Sequence, residues 1–438
     1  STINATYEAY VDEVITEPLI AKLPKAGSIK SSSNNALMGT TEFTLSNGVK
    51  VILKTTDFKA DEIKVLAFRN GGKQMYSKDQ AADVLMVNDA VELSKLGNFD
   101  VNTMRKYLAG KTVSLGYAVN GYTDVLEGSS SVKDFNTLAE VIYAYFTELN
   151  PDETTYQSQI EKIIPIVEAQ AQLPNTIFGK HLSEAVYGDN PLMMPVDVEV
   201  LKKANYSNML SMAKKSLENA ADYTFIFVGN IDEATLRPVL EQYIATLPSK
   251  GKASVGKVLT NLNPVSGKVE DKFDQTMQSA ITQVFNLYSG DNLKWDIKNY
   301  IMVDLMGDVL DMVFIETLRE DEGGTYGASV SAGYNFQTNL WQLQYFYQTA
   351  EEKLDRLEAR AEKELDDLLK NGAKADHFNK VKEAAIKQYE INSKTNSYWT
   401  GSIMNAERGS NTYEGYIDTL QSLALDAFIK FLKNVYDG

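Results

Sequence analysis

The sequence predicts an α+β protein made of two homologous domains, each a mostly antiparallel sheet packed by helices on one face. Three observations lead there. Apolar residues alternate along short runs such as "TEFTLSNGVKVILK" and "LWQLQYFYQTA", the period of a half-buried strand. They recur every three or four residues in "EEKLDRLEARAEKELDDLLKNG", the period of an amphipathic helix. Strand, helix, two strands and then several helices also occur in that order twice, a duplication at domain scale.

The elements follow in order. A short helical pattern lies around "YEAYVDEVI", and the Pro, Gly, Ser and Asn of the next stretch make residues 1–40 an N-terminal extension or linker. Asn47-Gly48 between two alternating runs marks a β-hairpin. "IKVLAFRNGG" reads as a strand, 78–108 as mixed helix, and "TVSLGYAVNG" with "TDVLEGSSS" as two more strands. Helical patterns at about 133–148 and 152–171 continue in shorter pieces to about 217. "DYTFIFVGN" is then a buried strand and Asp232 starts an amphipathic helix. The first domain therefore covers 41–248, and "SKGKASVGKVLTNLNPVSGK" (249–268) is a second linker. The second domain, 269–438, repeats the pattern with "SAITQVFNLYSG", a helix at 294–320, a probable hairpin, the helix "EEKLDRLEARAEKELDDLLKNG" (351–372), and helices at 374–393 and 411–436. In the helix starting near 351, Leu354, Leu357, Ala361, Leu365 and Leu368 form one stripe, and Gly372 stands just past its end. A final strand matching "DYTFIFVGN" is expected to be missing. With the Ser1 start, this suggests a processed or excised piece.

Composition narrows the chemistry. The 438 residues carry a net charge of −16, which disfavours a nucleic-acid partner. The longest apolar runs are far short of a membrane span. There is no cysteine, so thiol nucleophiles and disulfides are out, and only two histidines, His181 and His377. A Ser-His-Asp triad or a histidine-rich zinc site would need both to be well placed. His181 with Glu184 is a weak metal pair, and no metal ligands are expected in this chain.

The stretch "LREDEGGTYGAS" (318–329) is a helix-to-strand corner. Arg319 in the last helical turn, two glycines and a strand-favouring Tyr326 are all explained by local structure. Aligning Gly110 with Gly324 places Arg105 opposite Arg319 but Thr112 opposite Tyr326, so the tyrosine is found only in the second copy.

With "TLSNGVKVILK", "FVGNID" and "LREDEGGTYGASVSAGY" in this order, the chain resembles the pitrilysin-type zinc peptidases, the M16 family. The likeness runs from about residue 41 to 436 and points to the C-terminal, non-zinc half of a four-domain bacterial member. It implies domains closing around an unfolded peptide. The family's inverted zinc motif, H-x-x-E-H, supplies two imidazoles one turn apart and a general base. The matching region here, "SKDQAADVLMVNDAVELSK", has no histidine; Asp83, Asp89 and Glu92, and Glu161 and Glu168 downstream, read as surface carboxylates. The same resemblance implies that Arg319 and Tyr326, seven residues apart, contact the substrate and act in catalysis, with Gly323 and Gly324 letting the backbone approach it.

The function expected is therefore that of the C-terminal half of a zinc-dependent endopeptidase. It would act on unfolded peptides and supply hydrogen-bond donors but no zinc site. Zinc and the catalytic motif are expected in an N-terminal half or a catalytic partner subunit, with this chain inactive alone. The alternative is a non-catalytic peptide-binding or scaffold subunit of a similar complex. A periplasmic or envelope location is expected only by family analogy.

Overall fold

A computed structural model describes residues 14–265, the strand at 269–274, and 281–438. The helix expected around 7–15 lies almost wholly outside them. The first unit runs β1 (Ile29–Asn35), β2 (Thr40–Leu45), β3 (Lys50–Thr55), β4 (Ile63–Asn70), α1 (Ala81–Glu92), β5 (Lys95–Leu96) and α2 (Val101–Tyr107). It continues with β6 (Val113–Val119), β7 (Thr123–Ser130), α3 (Phe135–Thr147), β8 (Leu149–Asn150), α4 (Glu153–Gln170) and α5 (Pro174–Tyr187). It closes with α6 (Val198–Lys203), α7 (Tyr206–Ser216), β9 (Thr224–Gly229) and α8 (Glu233–Val239). The second unit runs β10 (Val269–Asp274), β11 (Ile281–Gly290), α9 (Ile297–Phe314), β12 (Ala328–Asn335), β13 (Leu340–Ala350) and α10 (Leu354–Asn371). Then follow α11 (Ala375–Asn392), α12 (Asn396–Glu407), α13 (Tyr416–Ser422) and α14 (Leu425–Asp437).

The α+β class is that expected. A seven-stranded sheet has the order β1-β2-β3-β9-β4-β7-β6, and a four-stranded one the order β10-β11-β13-β12. All pairs in these two sheets are antiparallel except β3–β9. β9 is buried along nearly its whole length, as a strand covered on both faces must be. At the hairpin joining β2 and β3, the Gly48 N–H bonds the Leu45 carbonyl at 2.9 Å. Gly48 has φ 85°, so the loop is the three-residue kind closed by a left-handed residue. Helix starts are capped by short acidic or amide side chains. Asp100, Asp152, Asp197, Asn205, Asp232 and Asp296 each accept from the backbone N–H three residues on, worth about 1 kcal/mol apiece.

Two readings of the N-terminal and C-terminal thirds need correction. Residues 29–35 are not linker but β1, an edge strand whose side chains are nearly all exposed. Its Ser/Asn run has no apolar alternation, because backbone pairing with β2 holds it rather than burial. Between the helices expected at 374–393 and 411–436 lies a further helix, α12, and the latter is broken into α13 and α14 by an extended Leu423. β10 was likewise not expected. It pairs antiparallel with β11, in the place that β9 takes beside β4. Residues 249–265 contain no strand or helix. They lie along the first unit, where Leu262 is buried and the N–H groups of Leu259 and Thr260 both bond the Gln74 carbonyl.

The packing adds what a one-face reading omits. The main core of each unit lies between its sheet and its own helices. The other face of each sheet is covered by a helix from the opposite unit. Trp399 and Ile403 of α12 pack on Ile52, Leu66, Phe68 and Ile226 of the first sheet. Phe178 and Val186 of α5 pack on Phe285 and Leu287 of the second.

Candidate functional site

α9 crosses the second sheet close to β12. A Cβ on Gly307 would come within 2.8 Å of the Ala332 Cβ, so the glycine sets the helix-to-strand distance. Beyond Phe314 the helix widens into π-helical turns over Ile315–Asp321. Such wide turns recur at functional sites. The segment ends at Gly323, φ 55°, with the Gly324 N–H bonding the Leu318 carbonyl at 3.1 Å. This is a glycine-capped terminus, reaching one residue further back than in the α-helical form.

Three basic residues of the next helical segment hold the corner. Arg356 Nε is 2.8 Å from Glu322, and Arg356 also donates to the Glu322 carbonyl. Arg360 reaches Glu322, Asp321 and Glu364 at 3.1, 3.2 and 2.7 Å. Lys353 donates to the Gly323 carbonyl and Thr349 to that of Gly324. Asp321 and Glu322 of the acidic run are thus anchors. Sequence reasoning missed these partners, although Lys353, Arg356 and Arg360 repeat at helical spacing opposite an acidic run.

Arg319 and Tyr326 are not among the anchors. Both are exposed, Tyr326 to 102%. Neither has a hydrogen-bond or ion-pair partner among the described residues. Tyr326 lies two residues before β12 rather than at its head, in a turn where Thr325 Oγ1 donates to the Gly327 carbonyl. Gly323 is exposed. Gly324 is buried and faces α10, where a Cβ would lie 2.0 Å from Leu357 Cδ1. Of the four residues expected to meet a substrate, it is the one turned inward, and packing explains the glycine. Arg105 sits on the separate helix α2 and donates to Asn102. The two corners are therefore built differently.

The carboxylates weighed as metal ligands have other partners or none in common. Asp83 accepts from the Asn205 N–H and Asn208 at the start of α7. Burial raises the Asp89 carboxyl above its usual range, while Glu92, Glu161 and Glu168 are exposed. Glu184 lies 4.0 Å from Lys180. His377 is buried, with Nε2 2.8 Å from Glu316 in the π-helical segment. Among the described residues no group of three or more His, Cys, Asp or Glu could hold a metal ion. No described helix is long and apolar enough to cross a membrane.

Residues 210–385 match the family model described as "Peptidase M16 inactive domain". The chain is 23% identical over 422 residues to "Zinc protease PQQL-like" of Arabidopsis thaliana, covering 92% of this chain and 41% of that protein. It is 20% identical over 378 residues to "Probable zinc protease PqqL" of Escherichia coli, covering 86% and 40%. It thus spans about two fifths of the length of the curated relatives it matches. The crystal structure of the periplasmic protease PqqL from Escherichia coli superposes with a TM-score of 0.84 at 18% identity, over 98% of this chain and 48% of that one. The fold is that of M16 peptidases, and residues 210–385 match the M16 peptidase inactive-domain family.

Proposed function

We propose that this chain is the non-zinc half of a zinc-dependent endopeptidase acting on unfolded peptides. It works with a zinc-bearing half, in the same polypeptide or as a partner subunit, and Arg319 and Tyr326 face the peptide held between them. The observation that carries this reading is the contrast at the corner. Asp321, Glu322 and Gly323 are tied to Lys353, Arg356 and Arg360, and Gly324 to Thr349, while Arg319 and Tyr326 project into solvent. A fixed base with two free donors suits hydrogen bonding to a bound chain. The guanidinium offers several N–H groups to peptide carbonyls. The phenol can donate to the oxygen that gains negative charge when a peptide bond is attacked. Gly323 shapes the turn, and Gly324 acts through its fit against Leu357. The metal would supply the activated water from the other half, so this chain alone should not hydrolyse peptides. A periplasmic location, as for the Escherichia coli protein, belongs to the same proposal.

The test is kinetic. With the zinc-bearing half present, Tyr326→Phe should lower kcat by roughly tenfold to a thousandfold with a smaller change in KM. Unchanged kcat would leave Tyr326 without a catalytic part and favour the alternative of a peptide-binding or scaffold subunit. Stoichiometric zinc in the purified chain would overturn the division of labour itself.

A further inference from the structure

A second site stands apart from the corner, on another side of α9. Helices α9, α11, α12 and α13 line a cavity of about 730 Å³ that is open to solvent on one side. Four tyrosines form a continuous wall. Tyr389 stacks on Tyr416 with centroids 5.4 Å apart, Tyr300 meets Tyr416 at 6.5 Å, and Tyr398 meets Tyr389 at 6.1 Å. Burial raises the Tyr300 and Tyr389 hydroxyls to about 12, so the rings are neutral phenols. Asp304, Asp308 and Asp311 line the same space, Asp308 exposed and Asp311 accepting from the Val330 N–H, with Tyr300, Asp304 and Asp308 spaced four residues apart along α9. Asp304 has no hydrogen-bond or ion-pair partner among the described residues. The basic residue in the lining, Lys380, is itself 3.0 Å from Asp376 and largely exposed.

We propose that this tyrosine-walled cavity binds an organic ammonium group, presented by a lysine side chain or by the amino terminus of a peptide. Neutral aromatic faces and an unpaired carboxylate both attract a cation, and both gain strength away from bulk water. An anion would meet three aspartates. A hard metal ion needs a close set of oxygen or imidazole ligands, and no such group of acidic or histidine residues exists among the described residues. Ile301, Leu305 and Met312 line the rest of the cavity and suit the methylene stem of a lysine. The carboxyl of Asp304, raised to about 7 by burial and by Asp308, is a charge that a bound cation would complete. The inference does not depend on Arg319 or Tyr326.

The test titrates the purified chain with capped lysine (N-acetyl-lysine methylamide), its Nε-acetyl form, and alanine methylamide, which carries only an α-amine. Capped lysine is expected to bind saturably in the ~mM range, and the Nε-acetyl form at least tenfold more weakly. Saturable binding of alanine methylamide in its place assigns the site to peptide amino termini. Asp304→Asn should weaken the bound amine at least tenfold and Tyr416→Leu severalfold, with thermal unfolding showing that each variant is folded. The wild-type affinity for capped lysine should rise from pH 6 to pH 8 as Asp304 ionises. Absence of saturable amine binding overturns the proposal. So does binding that survives Asp304→Asn, because a chain of net charge −16 attracts amines without any site.

Discussion

Single residues divide into those that hold the fold and those the fold leaves free. Asp304 is an instructive intermediate. Its carboxyl is raised from 3.8 to about 7 by burial and by neighbouring Asp308. The sign follows from which state binds the proton more tightly. Between about pH 4 and pH 7 the folded protein keeps a proton that the unfolded chain releases. Stability from this group is therefore present below pH 4 and is lost as pH rises to 7. Asp304→Asn removes that dependence. Its unfolding free energy should match the wild type near pH 4 and exceed it at pH 8, by on the order of 1–4 kcal/mol. Chemical denaturation at the two pH values checks this, and a variant less stable at pH 8 would show that the ionised carboxylate has a favourable partner. Tyr326 is the opposite case. A fully exposed phenol with no described partner should change stability little when altered, so a kinetic effect of Tyr326→Phe would report on function.

At the scale of elements, the corner between α9 and β12 shows how an irregular stretch is made rigid. Its turn is closed by Gly323 in a left-handed conformation and seated by Gly324 against Leu357. Gly324→Ala puts a methyl into a filled space, which costs about 1–3 kcal/mol. Leu357→Ala empties part of the same core and costs about 2–5 kcal/mol. Because each change relieves the other, the double variant should be less destabilised than the sum of the two. Additive losses in a double-mutant cycle would place the strain of Gly324→Ala elsewhere. The same corner shows what a sequence displays and what it hides. The stripe of Leu357, Ala361, Leu365 and Leu368 was legible because burial on a helix has a period, and all four are buried. Asp232 and Asn47-Gly48 were legible because caps and turns have local chemistry. Gly324 was not, since its reason is a side chain from α10, and a glycine needed for packing looks like one needed for a ligand. β1 was hidden for a related cause: its Ser and Asn side chains carry no trace of the backbone pairing that makes it a strand.

For the whole molecule, the duplicated order of elements was visible in the sequence, but the exchange of helices between units was not. Periodicity shows that α12 has an apolar side; it does not show which sheet that side covers. The structure puts Trp399 and Ile403 on the first sheet, and Phe178 and Val186 of α5 on the second. Polar contacts run alongside. Asn396 donates to Glu62 at 3.0 Å and accepts from Thr56 at 2.5 Å. Arg408 donates to Asn70 and, within its own unit, to Gln337. The two units should therefore unfold together, because neither sheet keeps both faces dry without the other unit. Trp399→Ala tests this directly. It removes a buried side chain that also carries the Lys54 ammonium 3.8 Å from its ring centre, a loss of about 3–5 kcal/mol. Hydrogen exchange should then quicken in β3, β4 and β9, which are remote in sequence but lie beneath the missing ring, as well as in α12. Exchange that quickens in α12 alone would mean that the first sheet is stable without its cover, and that the two units are joined rather than interdependent.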